Sequence, residues 1–277
     1  METDNDKLYI TDDADDASFI PALRDRGFYV IRFWERIPSG GCTYGRVGCD
    51  YNDATVVCDG CGSDIPLPSE PPFVWFVAFM PDIISGRHCE SGAREYSFFG
   101  YAADEALHLS CREKRVLCEC FDDIRIELRH SDDCRHNIIL AAHIRRMTDY
   151  IARFYDRQFI TRELRNAEIL DRYDAFVEQY LADGKARLYG ALSSARCAER
   201  LHLSEPYFND LLRFATGHTC GGSFVLKQLE VAKKRLSSTD MPVARIAEEL
   251  GFPSLCHFNC LFKRLTGVSP TSYRSCC

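Results

Sequence analysis

Long hydrophobic runs are absent from this sequence of 277 residues. The longest strongly apolar stretch, Phe73 to Met80, has 8 residues, whereas a membrane-spanning helix needs about 20. The first residues are acidic and lack the basic and then apolar order of a secretory signal. We therefore expect a soluble, cytoplasmic protein that does not contact a membrane.

Recognisable patterns for metal binding and catalysis are also missing. Cys58 and Cys61 are the only pair at zinc-knuckle spacing, and structural zinc sites prefer two close pairs, although His88 and Cys89 could complete such a site. No GxGxxG fingerprint, phosphate-binding loop or catalytic triad pattern occurs. The sequence thus predicts no metal, no cofactor and no enzyme activity.

Charged residues are unevenly distributed along the chain. From Gly184 to the end there are 13 Lys+Arg against 7 Asp+Glu, whereas the preceding residues carry 21 basic and 34 acidic side chains. The net charge is therefore +6 in the last third and −13 in the rest. This asymmetry predicts a basic module with a polyanionic partner and an acidic module with another role.

Residue patterning predicts a β-rich segment followed by helices. Phe28 to Trp34, Thr55 to Cys58 and Phe73 to Met80 are rich in β-branched and aromatic residues. Turn-forming stretches, one of them starting at Asp59, separate these runs, which is typical of a small barrel or sandwich. A helix with a capping box is predicted immediately after Ser110.

A longer helix, opened by Ser131 to Asp133, carries an apolar seam with steps of four and three residues. The seam has two interpretations, packing against the β-rich segment or dimerisation of two copies. Its residues are Leu140, Ile144, Met147, Ile151 and Phe154. A third helix is predicted from Leu164 to about Tyr180. Asp183 and Gly184 follow it and mark a domain boundary.

The last part of the chain contains an internal repeat with an offset of 50 residues. Each copy has the pattern of a short helix, a tight turn and a second helix, over about residues 194–215 and 243–265. This is the helix-turn-helix pattern, in which the second helix can lie in a DNA major groove. The repeat pairs Phe208 with Phe258, Leu211 with Leu261, Arg213 with Lys263, Thr216 with Thr266 and Gly217 with Gly267.

A continuous linker helix is predicted between the two copies, over about residues 222–237. Gly221 and Gly222 are expected to precede it, because glycine in a helix costs about 1 kcal/mol relative to alanine. At 1.5 Å per residue the linker spans roughly 25 Å. It can therefore hold the two second helices about one DNA turn (~34 Å) apart, on one face of the duplex.

The second copy contains the runs Ile246 to Phe252 and Leu261 to Pro270, together with Phe258, Tyr273 and Arg274. This pattern resembles the signature of the AraC/XylS family of bacterial transcriptional regulators. The first copy is similar to the family's first helix-turn-helix at Leu203-Ser204, Tyr207-Phe208 and Thr216-Gly217.

The resemblance implies an α+β protein of three parts. A cupin-like (jelly-roll) domain over residues 1–100 would sense an effector or dimerise, and residues 101–170 would form a helical dimerisation region. Residues 171–277 would form the all-α DNA-binding domain. The expected partners are double-stranded promoter DNA, a second copy of the chain in a homodimer, RNA polymerase and a small-molecule effector of unknown identity.

DNA contacts are assigned by residue type and place in the repeat. Well-studied family members often have arginine where this chain has Asp210 and Cys260, and an acidic side chain repels phosphate, so we expect weak or narrowly specific DNA binding. The predicted phosphate contacts are Arg213, Lys263, Arg264 and Arg274, with Lys233 and Lys234 as further candidates. The predicted base contacts are Asn209, Asp210, Cys256, Asn259 and Cys260, in which the asparagines would pair with adenine edges.

An effector pocket in the first domain would use stacking aromatic residues. Trp34, Tyr44 and Trp75 are the candidates, although aromatic residues at strand spacing are more often part of a core. Metal in this domain is not expected, because metal-binding cupins use several histidines and none precedes His88.

Other hypotheses remain open beside DNA-binding regulation. The 15 cysteines could make the chain a redox- or metal-responsive regulator, with Cys111 and Cys134 as the best candidates because an arginine follows each. The chain could also have weakened autonomous DNA readout and act through protein partners. A DNA alkyl-repair enzyme is disfavoured, since no Pro-Cys-His-Arg tetrapeptide occurs.

Overall fold

The computed structural model describes residues 2–4, 7–35, 54–60, 74–84, 96–130 and 135–275. The chain divides into two compact units, Met1–Arg165 and Asn166–Cys277. The first unit combines a sheet with helices and the second is helical, so the predicted α+β class is confirmed.

The strands of the first unit form one six-stranded antiparallel sheet in the order β1-β2-β5-β3-β4-β6. A short helix, α1 (Ile20–Asp25), precedes β3. The strand bounds are β1 (Glu2–Asp4), β2 (Leu8–Thr11), β3 (Tyr29–Trp34), β4 (Ala54–Asp59), β5 (Trp75–Phe79) and β6 (Leu107–Leu109).

Both faces of the sheet are covered. Strands β3, β4 and β5 are buried along almost their whole length, and their sequences are nearly continuous apolar runs rather than alternating ones. On one face Ile20 and Leu23 of α1 pack with Trp34 and its neighbours. On the other face the ring of Trp75 stacks on Phe121, with ring centroids 4.9 Å apart.

The helices of the first unit are α2 (Cys111–Leu128) and α3 (His136–Thr161). The capping box of α2 is confirmed, because the Ser110 Oγ accepts a hydrogen bond from the Glu113 N–H and the Glu113 carboxylate accepts one from the Ser110 N–H. Helix α3 begins at His136, later than predicted, and Ser131 to Asp133 lie outside the described residues.

The apolar seam of α3 belongs to the core of the first unit. Its side chains are at most 7% exposed within a single chain, so they are not available to a second copy. The structure corrects the dimerisation interpretation in favour of core packing, because α3 packs along α2 and beside β6. The corrected residues are Leu140, Ile144, Met147, Ile151 and Phe154.

Asp59 is the last residue of β4 and not the start of a turn, as its residue type had suggested. Its carboxylate forms a fully buried ion pair with Arg32 of the neighbouring strand, and the Arg32 Nε lies 2.6 Å from the Asp59 Oδ2. The guanidinium also lies 5.1 Å from the ring centroid of Trp34. This pairing stabilises a charged group inside the sheet that would otherwise be costly to bury.

His108 of β6 is largely buried and surrounded by positive charge. Burial, together with the charges of Arg162, Arg157 and Arg165, lowers the pKa of His108 from 6.5 to about 4. The folded state therefore keeps this imidazole neutral at pH values at which an unfolded chain protonates it.

We expect His108 to make the stability of the protein fall as the pH decreases from about 6.5 to about 4. Only the unfolded state gains the proton in this range, so the free energy of unfolding loses up to roughly 3 kcal/mol, and above pH 6.5 the histidine has no effect. Urea unfolding at pH 7 and pH 4.5 measures the loss. His108→Gln should reduce it, whereas His130→Gln, at an exposed histidine, should not. Equal losses in both variants would contradict the assignment.

The helices of the second unit follow one another closely. Helix α4 begins in the last residues of the first unit, and the others lie wholly in the second. Their bounds are α4 (Glu163–Ala182), α5 (Lys185–Tyr189), α6 (Ser194–Leu201), α7 (Glu205–Thr216), α8 (Cys220–Ser238), α9 (Val243–Glu249), α10 (Leu255–Thr266) and α11 (Pro270–Ser275).

Candidate nucleic-acid interface

Two helix pairs, α6–α7 and α9–α10, have the helix-turn-helix arrangement. The second helix of each pair begins at a serine N-cap, since the Ser204 Oγ accepts from the Tyr207 N–H at 3.3 Å and the Ser254 Oγ accepts from the His257 N–H at 3.1 Å. Each serine satisfies a backbone donor that the first helical turn leaves without a partner. The sequence repeat is thus reproduced in the hydrogen bonds that start the two helices.

The apolar residues of the repeat bury one face of each second helix. In α7 the buried residues include Phe208 and Leu211, and in α10 they include Phe258 and Leu261. The ring of Phe258 packs against Phe252 of the preceding turn, with ring centroids 4.9 Å apart. The opposite face of each helix is therefore left for other contacts.

The turns of the two helix pairs use the same unusual backbone conformation. His202 in the first pair has φ 58° and Gly251 in the second has φ 78°. A Cβ atom at residue 251 would lie 2.3 Å from the carbonyl oxygen of Ala186 in α5. Glycine is thus required in the second turn, both by the left-handed backbone and by the close approach of α5.

Helix α8 connects the two pairs and starts earlier than predicted. Its first residue is Cys220, and the Thr219 Oγ1 caps it by accepting from the Gly222 N–H at 3.2 Å. Gly221 and Gly222 therefore lie in the first turn of the helix and not before it, because the cap precedes them. The 19 residues of α8 span about 28 Å at 1.5 Å per residue.

Polar contacts tie the second helix pair to α8. The Gln228 Nε2 donates a buried hydrogen bond of 2.6 Å to the Leu250 carbonyl, and Arg235 pairs with Glu249 at 2.9 Å. Arg245 also pairs with Glu249 along α9, at 2.9 Å. None of these polar contacts was predicted from the sequence, although the i, i+4 spacing of Arg245 and Glu249 is a signal for their ion pair.

The predicted base-contact residues lie on the two second helices. Those on α10 are exposed to solvent, and those on α7 are half-buried. Glu205, at the start of α7, accepts a hydrogen bond from the Ser194 hydroxyl of α6, so it helps to fix the pair. The residues on α7 are Asn209 and Asp210, and those on α10 are Cys256, Asn259 and Cys260.

Most of the predicted phosphate-contact residues are accessible. Lys263, Arg264 and Lys234 are exposed, and Arg213 and Lys233 are half-buried. Within the part of the chain that the structure describes, no ion pair is recorded for these five side chains. Their positive charges are therefore not neutralised by a neighbouring carboxylate.

Arg274 has a structural role that its residue type did not reveal. Its guanidinium donates to the Leu236 carbonyl at 3.4 Å and to the Met241 carbonyl at 2.5 Å. These carbonyls lie at the end of α8 and just beyond it, where helical backbone acceptors lack partners. The assignment of Arg274 to DNA phosphate stays a prediction, and the Nε and Nη2 donors of its guanidinium already serve the main chain.

The aromatic residues predicted for an effector pocket belong to the core. Trp34 and Trp75 are at most 3% exposed, because they pack against opposite faces of the sheet, and Tyr44 lies outside the described residues. A cavity of about 370 Å³ lies elsewhere in the first unit. It is lined by Lys7, Leu8, Asp82, Ile83, Asn137, Leu140 and Ala141.

The cysteines singled out by the sequence lie in different environments. Cys111 is exposed on α2, and Cys58 is buried in β4. Burial raises the pKa of the Cys58 thiol well above its usual value. Cys61, His88, Cys89 and Cys134 lie outside the described residues.

Among the residues that are described, no group of three or more His, Cys, Asp or Glu side chains is arranged to hold a metal ion. None of the described helices is both long enough and apolar enough to span a membrane.

Comparison with known proteins identifies the repeat-bearing part of the chain. A protein family described as a helix-turn-helix domain matches residues 197–275. The chain is 30% identical over 99 residues to the arabinose operon regulatory protein of Salmonella typhimurium, a match that covers 36% of this chain and 34% of that protein. Residues 197–275 thus form a helix-turn-helix domain, similar to that of AraC-type transcriptional regulators.

Two further proteins are similar to parts of this chain. The MmsAB operon regulatory protein of Pseudomonas aeruginosa is 27% identical over 151 residues, or 54% of this chain and 45% of that protein. The C-terminal domain of AraT, a response regulator from Geobacillus stearothermophilus, is 26% identical, with a TM-score of 0.34 over 39% of this chain and 85% of that chain. The matches thus cover less than half the length of the two operon regulatory proteins.

Proposed function

We propose that the protein is a sequence-specific DNA-binding transcriptional regulator of the AraC type, in which α7 and α10 enter successive major grooves on one face of the duplex. The observation that carries this proposal is the pair of repeat-related basic residues, Arg213 and Lys263, each on the second helix of a helix-turn-helix. Both lie near the C-terminal ends of their helices, and neither forms an ion pair with any residue that the structure describes.

The linker supports simultaneous binding by both helix pairs. Helix α8 spans about 28 Å, and successive major grooves on one face are about 34 Å apart. Gln228 and Arg235 hold the second pair against this helix, so its position relative to α8 is defined before DNA binds. Pre-organisation of this kind lowers the entropic cost of binding.

Sequence readout is assigned to the side chains between the buried and basic positions. Asn259 of α10 is exposed and can form two hydrogen bonds with an adenine edge, and Asn209 occupies the equivalent position on α7. Asp210 can accept from a cytosine amino group, but its charge also repels phosphate. The exposed Cys256 and Cys260 have no strong hydrogen-bonding group to offer, so we expect binding that depends on few bases.

The first unit is proposed to sense an effector and to support a homodimer. Its antiparallel sheet is compatible with a cupin-like domain, and its 370 Å³ cavity has the size of a small-molecule site. Because the seam of α3 is buried, dimer contacts would involve other surfaces of this unit. The whole protein would act at chromosomal DNA in the cytoplasm.

Selection of binding sites from random duplexes with the full-length protein tests this proposal. We expect a bipartite motif whose two halves lie about 10 base pairs apart. Asn259→Ala should relax the preference at one position of one half, by about 1–3 kcal/mol of discrimination, and Asn209→Ala should do so in the other half. Enrichment of no motif would contradict autonomous readout and favour the alternative of a regulator that depends on protein partners.

A further inference from the structure

Two buried cysteines face each other within the first helix-turn-helix subdomain. The Sγ atoms of Cys197 in α6 and Cys220 at the start of α8 lie 3.9 Å apart. Cys197 is fully buried and Cys220 is 5% exposed. A disulfide needs an S–S distance of about 2.05 Å, so the two sulfur atoms have to approach each other by only about 1.9 Å.

The position of Cys220 favours its thiolate form. It is the first residue of a helix of 19 residues, where the backbone N–H groups and the helix dipole stabilise a negative charge. The hydrogen bond between the two thiols lowers the pKa of Cys220, against the opposing effect of burial. The same contact raises the pKa of Cys197, so the two thiols differ in reactivity.

The two glycines that follow Cys220 leave part of the helix start uncovered. A Cβ atom at Gly221 would meet nothing within 4 Å, whereas one at Gly222 would meet the side chain of Thr219 at 3.4 Å. Cys220 is 5% exposed and Cys197 is not exposed, so Cys220 is the thiol of the two that a small oxidant reaches first. This gives the Cys-Gly-Gly sequence, which DNA binding does not explain, a chemical role.

We propose that Cys197 and Cys220 form a reversible dithiol–disulfide site that responds to hydrogen peroxide. The Cys220 thiolate attacks one peroxide oxygen, the O–O bond breaks, and Cys220 becomes a sulfenic acid while water leaves after protonation. The sulfur of Cys197 then attacks the Cys220 sulfur, the S–O bond breaks, and a second water leaves with the Cys197 proton. In total, two thiols and one hydrogen peroxide yield one disulfide and two waters.

The disulfide would restrain α7, the second helix of the first helix-turn-helix. Helix α7 lies between the two cysteines in the chain and packs against both α6 and α8. A shift of α6 against α8 therefore moves α7, and hydrogen bonds to bases tolerate only small displacements. This consequence rests on the proposed function, and we expect the oxidised protein to bind its selected duplex about tenfold more weakly, the loss of roughly one base contact.

Peptide mapping by mass spectrometry of the full-length protein tests the site directly. The reduced protein is treated with stoichiometric hydrogen peroxide, the remaining thiols are alkylated, and the digest is searched for cross-linked peptides. We expect the Cys197–Cys220 cross-link to dominate and to disappear on treatment with dithiothreitol. Cys58, which is also buried, serves as the internal control and should stay reduced. The proposal is overturned if both cysteines stay reduced while the exposed Cys256 is oxidised.

Two single variants test which sulfur reacts first. In Cys197→Ser the Cys220 sulfenic acid has no resolving thiol and should be trapped by dimedone, whereas in Cys220→Ser the residue Cys197 should remain a thiol. The opposite labelling would overturn the assignment of Cys220 as the attacked residue. The mapping of the unaltered protein does not depend on these variants folding normally.

DNA binding by the oxidised and reduced forms separates this inference from the proposed function. A cross-link that leaves the affinity for the selected duplex unchanged would overturn the regulatory consequence. Failure of both forms to bind any duplex would contradict the proposed function, but it would leave the disulfide assignment intact.

Discussion

Gly251→Ala should displace or unfold the second helix-turn-helix. The backbone at residue 251 has φ 78°, and a non-glycine residue in this region costs about 1–2 kcal/mol. The added Cβ would also lie 2.3 Å from the Ala186 carbonyl oxygen, which belongs to the backbone of α5 and cannot rotate away. We therefore expect the free energy of unfolding of the domain to fall by about 3 kcal/mol or more.

The repeat provides a matched control for this substitution. His202 occupies the equivalent turn of the first helix pair, is exposed, and has φ 58°. His202→Gly relieves the left-handed strain at the cost of some chain entropy, so the unfolding free energy should change by at most about 1 kcal/mol, with a stabilising sign. Urea unfolding of both variants checks the pair. Equal free energies of unfolding for Gly251→Ala and the parent protein would mean that α5 does not close over this turn as described.

Replacing both Arg213 and Lys263 with alanine should have the largest effect on DNA binding. If each side chain neutralises one phosphate, the slope of log K against log[salt] loses about 0.9 per residue. The double variant should therefore lower the slope by about 1.8 and bind roughly 60-fold more weakly at 0.1 M salt. Because phosphate contacts carry no sequence information, the loss should be similar for selected and unrelated duplexes. Fluorescence anisotropy titrations at several salt concentrations measure both quantities.

A second double variant separates contact from net charge. Lys185 pairs with Asp183 at 2.7 Å and Lys227 pairs with Asp174 at 2.9 Å, so both basic groups already have acidic neighbours. Lys185→Ala with Lys227→Ala removes the same two charges, and the salt slope should stay close to that of the parent protein. If both double variants lose affinity equally, general electrostatic attraction explains the binding, and the assignment of Arg213 and Lys263 is wrong.

Local sequence patterns predicted correctly those features that depend on residues close together in the chain. The capping box of α2 depends on Ser110 and Glu113, three residues apart, and it could be predicted because both partners belong to one helical turn. The helix-turn-helix repeat could be recognised for the same reason, since its apolar stripes and turn residues lie within about 20 residues in each copy.

Long-range contacts decided features that residue type did not predict. Asp59 has the residue type of a turn, but Arg32 of the neighbouring strand stabilises its charge inside the sheet. Arg274 has the residue type of a phosphate contact, and two of its nitrogens also donate to main-chain carbonyls near the end of α8, one of them in Leu236, 38 residues earlier. In both cases the deciding partner is distant in the sequence, and residue type alone does not reveal it.

The sequence by itself determined the α+β class, the repeated helix pairs and their linker, because hydrophobic periodicity and turn chemistry act over short distances. Only the tertiary structure decided that the seam of α3 is a core, because the same apolar stripe can pack within one chain or between two. It also brought Cys197 within 3.9 Å of Cys220 and α5 against Gly251, since such approaches depend on how the helices pack.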